Sequence, residues 1–424
     1  MKAEILTIGD ELLRGEIIDS NKAFLAERLL RIDVETRFQS SVGDDPADME
    51  DALRRAARRA DVVLVSGGLG PTRDDLTIDV LAKTFDRKLV LHAPSLAAIR
   101  DFFARLGREM AEVNAKQAWL PDGAEVLPNP IGTAPGCLVL AGEVPIFCLP
   151  GVPRELERMM DEQVLPRLEA RQAGRTVVRA RILRTFGMGE SNLEEALSDI
   201  AQDGAVTLGF RTTFPDNLLR PLARAATVAD AEARLDAVCT AIRERLGALV
   251  YAEGDEPLEA VAGRLLRERG ATLAVAESCT GGLLAERITR VAGASSYFLG
   301  GVVAYANTAK QALLGVPADL IGRHGSVSEP VACAMAEGAR ERFGADFALA
   351  TTGISGPGGG SAEKPTGTVC IALARADGTH AGRFVFPLDR ERHRSLTVQI
   401  GLDWVRRTLL GAPLEAPTLM RRPA

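Results

Sequence analysis

Short apolar runs alternate along the chain with longer stretches in which apolar residues recur every three or four positions. Over the first 170 residues this alternation predicts strands at 4–8, 34–40 and 61–66 and helices at 20–30 and 46–60. The run DVVLVS at 61–66 has an apolar centre, as is typical of a parallel strand that is covered on both faces. The pattern predicts a three-layer α/β domain with ligands at the carboxyl ends of its strands.

The same alternation returns after residue 257 and predicts a second three-layer α/β domain. An apolar run at 271–275 predicts a buried strand, and 283–289 predicts a helix. The sequence AESCTGG (276–282) lies between them, so Ser278 and Thr280 fall on a strand-to-helix turn. The other elements predicted here are strands at 298–305, 347–351 and 368–374, helices at 258–268 and 329–343, and an amphipathic helix at 390–409.

A different pattern separates these two regions and predicts a small α+β module. Its predicted elements are strands at 177–185, 206–210, 218–225 and 249–251 and helices at 193–200 and 229–246. We interpret the glycine-rich turn at 187–192 as structural, and the sequence GDEP at 254–257 is typical of a linker. The predicted domains are therefore 1–170, 171–255 and 258–415.

The composition is that of a chain able to bury sizeable cores. Of 424 residues, 46% are hydrophobic and 25% are charged, and the length agrees with two or three domains. A formal net charge of −6 argues against nucleic-acid binding as the main role. No apolar run is long enough to span a membrane, and no signal-peptide pattern precedes the first strand. We therefore expect a cytoplasmic protein without membrane contact.

Cysteine and histidine residues argue against a disulfide framework and against a zinc site. The six cysteines form no CxxC pair and are scattered among apolar segments, as is typical of reduced thiols. The four histidines show no metal-ligand spacing. Carboxylates could still hold Mg²⁺ or Mn²⁺.

Glycines and aspartates follow the predicted strand at 61–66 directly, in the sequence GGLGPTRDD (67–75). Three glycines in four residues can expose a nest of backbone N–H groups to phosphate. Asp74 and Asp75 supply the hard oxygen ligands that a divalent cation prefers, and Glu11 shares their sheet edge if the two strands are neighbours. The alternative is a solvated turn with a helix cap, because Gly and Asp both favour turns.

The turn AESCTGG is the second candidate site. The helix start behind it would offer free N–H groups and a favourable dipole to an anion such as phosphate. The alternative is a plain N-cap, for which Ser and Thr are common. Neighbouring side chains in extended backbone point apart. If Ser278 faces a pocket, we therefore expect Cys279 to face the core.

Several long motifs, in order, resemble the competence/damage-inducible CinA family over nearly the whole chain. In the first domain they are IGDELLRGEIIDSN (8–21), SGGLGPTRDDLT (66–77), NPIGTAPG (129–136) and LPGVPREL (149–156). In the last domain they are AESCTGG (276–282), YANTAK (305–310), GSVSEP (325–330) and GISGPGGGSAEKPTGTV (353–369). Two departures are Ser355, where the family more often has Ala, and the segment 211–220, to which no function is transferred.

The resemblance implies that the last domain is a nicotinamide-nucleotide amidase, which hydrolyses nicotinamide mononucleotide to nicotinate mononucleotide and ammonia without a cofactor. Ser278 is then the nucleophile and Lys310 its proton acceptor, with Tyr305 and Thr352 in supporting positions. A lysine can act as a base if burial lowers its pKa, and His324 is a weaker candidate. The implied substrate-binding residues are Thr280, Gly281, Gly282, Gly356, Gly358, Gly359, Arg390 and Arg394. For the two arginines, a solvated helix face is an equally good interpretation.

The resemblance also implies a molybdopterin-binding-like fold for the first domain, with a metal-dependent ADP-ribose pyrophosphatase activity. Its implied substrate-binding residues are Gly67, Gly68, Gly70 and Thr72, and its implied metal ligands are Glu11, Asp74 and Asp75. The expected ion is Mg²⁺ or Mn²⁺, with K⁺ as a further candidate. The expected partners are small nucleotides and a second copy of the chain in a homodimer.

Two other functions remain open at the level of the sequence. One is a non-catalytic nucleotide-binding scaffold that acts in competence or in the DNA-damage response. The other is a molybdenum-cofactor-binding protein, suggested by the fold of the first domain alone. Fold-level similarity is a weak argument for function.

Overall fold

The computed structural model describes residues 1–171, 176–201 and 204–414. Two compact units divide these residues. Unit 1 takes the described residues of Met1–Arg179 together with Arg224–Glu232. Unit 2 takes those of Ala180–Ala223 and those from Ala233 onward. Most of the middle module therefore shares a unit with the C-terminal domain, and the predicted end of that domain at 415 lies outside the described residues.

Unit 1 is built on a six-stranded sheet of order β2-β1-β3-β8-β7-β6, with β4 and β5 as a separate pair. The strands are β1 (Lys2–Ile8), β2 (Glu35–Val42), β3 (Val62–Ser66), β4 (Leu89–Leu91), β5 (Trp119–Pro121), β6 (Glu125–Leu127), β7 (Gly136–Ala141) and β8 (Val144–Leu149). The helices are α1 (Asp10–Leu13), α2 (Ser20–Arg31), α3 (Pro46–Arg59), α4 (Thr77–Thr84), α5 (Ala93–Arg105), α6 (Pro153–Met159) and α7 (Leu165–Arg171).

Side chains of successive strand residues enter opposite cores, which gives this sheet its three layers. Leu6 and Val63 pack in one buried cluster, whereas Ile5 and Leu64 pack in the other. The helices cover both faces, because their apolar positions recur on one side. In α3, for example, Asp45 caps the first turn and an apolar stripe follows it. The predicted α/β class is confirmed, although β7 and β6 run antiparallel to their neighbours.

The middle module forms an antiparallel sheet of order β11-β12-β10-β13. Its elements are β9 (Val177–Ala180), β10 (Leu183–Thr185), α8 (Glu190–Ala196), β11 (Val206–Thr213), β12 (Asp216–Ala225), α9 (Val228–Leu246) and β13 (Val250–Glu253). The single strand predicted at 177–185 is wrong, because it is broken between β9 and β10. Pro221 of β12 lies opposite the break, and a proline has no N–H with which to continue the ladder. Its carbonyl accepts instead from the N–H of Arg181 at 3.1 Å.

The C-terminal domain has a five-stranded sheet of order β15-β14-β16-β17-β18, of which the first three strands are parallel. The strands are β14 (Leu273–Glu277), β15 (Phe298–Val303), β16 (Phe347–Gly353), β17 (Thr368–Arg375) and β18 (Gly378–Val385). The helices are α10 (Leu258–Arg269), α11 (Leu283–Thr289), α12 (Asn307–Leu314), α13 (Ala318–His324), α14 (Glu329–Phe343) and α15 (Arg390–Leu410).

The two faces of this sheet carry side chains of different size. Leu273 and Val275 pack on the side of α10 and α15, whereas Ala274 and Ala276 pack on the side of α14. The alanines let α14 lie close to the sheet. Because β14 occupies an interior position in the sheet, the turn that follows it is held from both sides by neighbouring strands.

Helix α15 differs from the predicted amphipathic helix, because residues 396–405 are buried without interruption. The sheet packs against one side of it, and α10 packs against another. Its buried charges are paired internally, since Asp403 contacts Arg406 and Arg407 at 2.7 and 2.6 Å. Arg406 also donates to the carbonyl of Ala248 in the middle module at 2.5 Å. Among the described residues, no helix has both the length and the apolar character needed to cross a membrane.

Candidate active site

The turn after β14 and the helix α12 bring a hydroxyl and an amine together. Lys310 Nζ donates to Ser278 Oγ at 3.0 Å, and it also donates to the carbonyl oxygens of Ala304 at 2.9 Å and Tyr305 at 3.2 Å. The side chain reaches these groups from the first turns of α12, which begins directly after Tyr305 and Ala306. Lys310 is 1% exposed and Ser278 is 8% exposed. The pair is therefore almost wholly shielded from water.

The surroundings of Lys310 favour the neutral amine. Burial lowers the pKa of Lys310 from its ordinary value of 10.5, and the nearby Cys279 opposes this shift. None of the ion pairs formed by the described residues involves the Lys310 amine. A buried amine without a counter-charge loses its proton more readily than a solvated one. Such an amine can accept a proton from the hydroxyl that it contacts.

The side chain of Cys279 packs away from this pair. It belongs to the core cluster with Val275 and Leu284 and is almost completely buried. Burial raises the pKa of Cys279 to about 12, so the thiol stays protonated at neutral pH. The prediction that Cys279 faces the core is confirmed. Of the two neighbouring nucleophiles in the turn, only Ser278 contacts a candidate base.

Glu277 occupies the start of α11, so N–H groups that were expected to be free there already have a partner. Its carboxylate accepts from the N–H groups of Gly282 at 3.0 Å, Leu284 at 3.0 Å and Ala285 at 2.9 Å. Glu277 is fully buried, so its carboxylate cannot turn away from these N–H groups into solvent. The positive end of the α11 dipole is thus neutralised within the chain. Glu277 was missed by sequence reasoning, because it ends β14 several positions before α11 begins and so does not match the usual capping signal.

The backbone of the turn leaves the N–H groups of Cys279 and Thr280 without a hydrogen-bond partner among the described residues. Gly281 donates its N–H to the Ser278 carbonyl at 3.2 Å, and its φ of +57° is in the left-handed region that favours glycine. Gly282, at φ +96°, donates to Glu277. The hydroxyls of Thr280 and Thr351 are hydrogen-bonded to each other at 2.7 Å.

Tyr305 and Thr352 contact this site in different ways. Tyr305 is 59% exposed, and only its backbone carbonyl contacts Lys310. The Thr352 hydroxyl donates to the carbonyl of Ser326 at 2.8 Å, rather than to either member of the pair. The Thr352 side chain therefore stabilises the loop that contains Ser326. Neither hydroxyl contacts Ser278 Oγ or Lys310 Nζ.

The two arginines at the start of α15 contact residues that surround the pair. Arg394 donates to the Thr280 carbonyl at 3.1 Å through Nε and at 2.5 Å through Nη2. Arg390 donates to the Gly356 carbonyl at 3.0 Å and to the Tyr305 hydroxyl at 3.3 Å. A purely solvated helix face would make no such contacts. The predicted residues Arg390, Arg394, Gly356 and Thr280 therefore lie in one neighbourhood.

The glycine loop after β16 has an evident packing function. A Cβ atom on Gly356, at φ +78°, would lie 2.6 Å from Thr366 Cγ2. Gly359 also has a positive φ of +89°, whereas a Cβ on Gly358 would meet nothing within 4 Å. The fold thus requires glycine at 356 because a side chain would not fit there, and at 359 because of the backbone conformation. Ser355 is buried in this loop, and its hydroxyl has no partner among the described residues.

A separate cavity of about 600 Å³ lies in unit 1 at the carboxyl ends of β1, β3 and β8. The predicted residues that line it are Glu11, Gly67, Gly68, Gly70 and Asp75. The glycines also serve the chain itself. A Cβ on Gly67 would lie 2.2 Å from the Ile8 carbonyl, and one on Gly68 would lie 2.2 Å from Thr77 Oγ1. Asn21 and Ser66, which are hydrogen-bonded at 3.0 Å, line the cavity as well.

The three predicted metal ligands are not gathered at one point. Glu11 and Asp75 line the cavity, but Asp74 is not among its lining residues. Asp75 already accepts from the N–H of Thr72 at 2.8 Å and from its hydroxyl. Among the described residues, no group of three or more His, Cys, Asp or Glu is placed to hold a metal ion. The donors present fit an ion shared between one or two carboxylates and a ligand's phosphates, as Mg²⁺ usually is.

Three family models together match most of the chain. The model described as "Probable molybdopterin binding domain" matches residues 4–170, and "Damage-inducible protein CinA KH domain" matches 180–252. The model described as "CinA C-terminal domain" matches residues 255–409.

Relatives from several bacteria match over nearly their whole length. A CinA-like protein of Geobacter sulfurreducens is 45% identical over 97% of this chain and 100% of its own. A putative competence-damage inducible protein of Symbiobacterium thermophilum is 46% identical over 97% of this chain and 99% of its own. Among solved structures, the competence/damage inducible protein CihA of Agrobacterium tumefaciens is 38% identical, with a TM-score of 0.35. That match covers 37% of this chain and 99% of the other.

Proposed function

The chain belongs to the CinA family, and from that premise we propose that its C-terminal domain is a nicotinamide-nucleotide amidase. The reaction is the hydrolysis of nicotinamide mononucleotide to nicotinate mononucleotide and ammonia. The observation that carries this proposal is the 3.0 Å contact between Ser278 Oγ and Lys310 Nζ. Amide hydrolysis requires a nucleophile in contact with a base, and this pair supplies both.

The first half of the reaction follows from the geometry of the pair. Neutral Lys310 accepts the hydroxyl proton as Ser278 Oγ bonds to the amide carbon. The resulting oxyanion needs a hydrogen-bond donor, and the free N–H groups of Cys279 and Thr280 are the donors that the turn offers. The intermediate then collapses, the C–N bond breaks, and Lys310 returns its proton to the leaving nitrogen as ammonia.

The second half regenerates the serine. Lys310, neutral again, removes a proton from a water molecule that attacks the ester carbon. The C–O bond to Ser278 breaks, the proton returns to Oγ, and nicotinate mononucleotide leaves as the carboxylate. No metal ion takes part in these steps. In this proposal Tyr305 contributes its carbonyl to the orientation of Lys310, and Thr352 holds the neighbouring loop.

An assay of the purified protein tests this proposal. Nicotinamide mononucleotide is supplied with a chelator present, and ammonia and nicotinate mononucleotide are quantified. Equal release of both products supports the amidase. Calorimetric binding of the nucleotide with no product over a range of pH values would favour the non-catalytic scaffold, and copurification of a pterin would favour the molybdenum-cofactor protein.

A second activity is proposed for the N-terminal domain because its cavity combines a glycine-rich edge with two carboxylates. We propose that it hydrolyses ADP-ribose between its two phosphates. Glu11 and Asp75 would hold Mg²⁺ or Mn²⁺ together with the diphosphate, and the cation would neutralise phosphate charge during hydrolysis. Gly67, Gly68 and Gly70 would let the phosphates approach the backbone. We also propose that the ligands of this chain are small nucleotides and that it assembles as a homodimer. K⁺ is a further candidate ion.

A further inference from the structure

The proposed hydrolysis of ADP-ribose leaves two sequence motifs of unit 1 without a role. NPIGTAPG at 129–136 connects β6 to β7, and LPGVPREL at 149–156 runs from the end of β8 into α6. Glu155, from the second motif, lines the cavity of about 600 Å³ at the carboxyl ends of β1, β3 and β8. Hydrolysis by water requires a group that removes a proton from the attacking water molecule. Glu11 and Asp75 are the proposed metal ligands, so their oxygens are committed to the cation.

The carboxylates that line this cavity differ in their partners. Among the described residues they are Glu11, Asp19, Asp75 and Glu155. Asp19 lies 3.4 Å from the Lys22 amine and accepts a hydrogen bond from the Thr7 hydroxyl at 2.8 Å. Glu155 has no lysine or arginine partner in the part of the chain that the structure describes. A carboxylate that is neither paired with a cation nor committed to a metal ion remains able to accept a proton from water. Of these four carboxylates, Glu155 meets both conditions.

The Asn129 side chain holds the Glu155 carboxylate in place. Its Nδ2 donates to Glu155 Oε2 at 2.6 Å and to the carbonyl of Ala134 at 3.0 Å. Its Oδ1 accepts from the N–H groups of Ile131 at 3.2 Å and Gly132 at 2.9 Å. Three contacts with the backbone therefore fix the amide, and the amide fixes one oxygen of the carboxylate.

Gly132 leaves the space that the carboxylate occupies. A Cβ atom at this position would lie 2.3 Å from Glu155 Cδ and 2.5 Å from Oε1, so a larger residue would push the carboxylate away from the loop. Glu155 is only partly buried, and its Oε1 accepts no hydrogen bond from the described residues. A water molecule in the cavity can therefore reach Oε1. General-base catalysis requires such an arrangement, in which a third group orients the base and one oxygen stays free.

Glu155 enters the cavity apart from the proposed metal ligands. It follows β8, whereas Glu11 follows β1 and Asp75 follows β3, and β3 lies between the other two strands in the sheet. Although all three line one cavity, no three carboxylates of the described residues are gathered closely enough to hold a metal ion. This separation suits a base that acts on water better than a third metal ligand.

We infer that Glu155 is the general base of the proposed ADP-ribose hydrolysis and that Asn129 is its positioning residue. This inference rests on the pyrophosphatase activity proposed for the N-terminal domain. Glu155 Oε1 takes a proton from a water molecule whose oxygen bonds to one phosphorus atom of the diphosphate. The bond between that phosphorus and the bridging oxygen breaks, and its electron pair leaves with the second phosphate. AMP and ribose 5-phosphate are released, and Glu155 passes the proton to solvent.

The full-length Glu155→Gln protein tests this role with two measurements. AMP release from ADP-ribose with Mn²⁺ gives kcat, and calorimetry with Mn²⁺ gives the affinity for an analogue in which a methylene group replaces the bridging oxygen. We expect kcat to fall by about a hundredfold or more, because the amide cannot accept the proton, while the affinity for the analogue stays within about threefold. Glu157→Gln is the matched control, since Glu157 is an exposed residue of α6 that does not line the cavity. Its kcat should stay within about twofold.

Two further variants separate a base from a merely structural residue. Gln has nearly the shape of Glu, so a structural role would be kept in Glu155→Gln and lost in the shorter Glu155→Asp. A base predicts the opposite order of kcat, because Asp keeps a carboxylate and Gln does not. In Asn129→Asp a second negative charge replaces the donor to Glu155, so kcat should fall at least about tenfold while the affinity for the analogue stays within about threefold. Circular dichroism verifies the fold of each variant.

The inference is overturned if Glu155→Gln keeps its kcat or is more active than Glu155→Asp. It is also overturned if Glu155→Gln lowers the affinity for Mn²⁺, measured with the analogue present, by about tenfold or more, since Glu155 would then be a metal ligand. A failure of the pyrophosphatase proposal gives a different result. If the unmodified protein releases no AMP with either Mg²⁺ or Mn²⁺, that activity is refuted and the base with it. If the unmodified protein and Glu155→Gln are equally active, the activity stands and only the role of Glu155 is refuted.

Discussion

Lys310 Nζ lies 3.0 Å from Ser278 Oγ, although 32 positions separate the two residues in the sequence. The two side chains come from different elements, the turn after β14 and the helix α12. Two backbone carbonyls hold the amine in place, and no carboxylate pairs with it within the described residues. These neighbours support the proposal that Lys310 acts as a base.

The first prediction concerns pH. Protonated Lys310 cannot accept the serine proton, so kcat/KM for nicotinamide mononucleotide should fall as the pH drops below the pKa of Lys310. Because burial lowers that pKa, the midpoint of the rise should lie below pH 10.5. A pH–rate profile measures the midpoint. A flat profile between pH 6 and pH 10 would contradict the role of Lys310, unless substrate release limits the rate, which viscosity dependence would reveal.

The second prediction replaces the base. Lys310→Arg places a group in the site that stays protonated, so ammonia release should fall by about a hundredfold or more. Lys364→Arg is the matched control, because Lys364 Nζ donates to the His324 carbonyl at 2.6 Å and, among the described residues, does not contact Ser278. That control should retain activity within about twofold. An active Lys310→Arg protein would show that another group takes the proton.

The third prediction concerns Glu277, whose carboxylate accepts from three N–H groups at the start of α11. Glu277→Gln removes the negative charge and turns an amide donor toward one of those N–H groups. We expect the free energy of unfolding to fall by about 2 kcal/mol. Thermal unfolding is measured by circular dichroism for this variant and for Glu286→Gln as the control. Glu286 is an exposed partner of Arg290, so its replacement should lower the free energy of unfolding by well under 1 kcal/mol. Equal stability of the two variants would mean that Glu277 does not hold the turn.

The fourth prediction distinguishes two neighbouring carboxylates of the N-terminal domain. Asp75 lines the cavity of unit 1 and Asp74 does not. Asp75→Asn should therefore abolish Mg²⁺- or Mn²⁺-dependent hydrolysis of ADP-ribose, whereas Asp74→Asn should retain most of it. Titration of Mn²⁺ binding in the presence of ADP-ribose gives a readout that is independent of turnover. Full activity of Asp75→Asn would remove this residue from the site.

The elements predicted best are those whose ends and apolar pattern are set by residues close together in the sequence. The helix predicted at 329–343 coincides with α14, because a proline follows its first residue and Gly344 ends it in the left-handed conformation. The strand at 61–66 agrees with β3 to within one residue, since its centre is apolar and both of its faces are covered. These features need no information from distant parts of the chain.

The features that could not be predicted depend on contacts between distant residues. The burial of α15 on several sides follows from packing by the sheet and by α10, and no local pattern reveals it. The sequence predicted an amphipathic helix, but Asp403 pairs with Arg406 and Arg407 inside the protein. The break between β9 and β10 depends on Pro221, which is about 40 positions away in the sequence.

The candidate site shows the same limit. The resemblance of the motifs identified Ser278 and Lys310, and the Cys279 side chain packs in the core as the alternation of side chains predicted. The helix start is not free, because the Glu277 carboxylate accepts from its N–H groups across a turn in which Gly281 and Gly282 are left-handed. The metal ligands remain a prediction, since only two of the three line one cavity.

The identity of the nucleophile is tested most directly by measuring ammonia release from two variants with neighbouring substitutions in the turn. Ser278→Ala and Cys279→Ala are made in the full chain and assayed with nicotinamide mononucleotide at the pH optimum. Loss of the hydroxyl that contacts Lys310 should lower kcat by at least about a thousandfold in Ser278→Ala. Cys279→Ala should retain most of the activity, because its thiol is buried and its pKa is about 12. An active Ser278→Ala protein, or an inactive but folded Cys279→Ala protein, would contradict the assignment of Ser278 as the nucleophile.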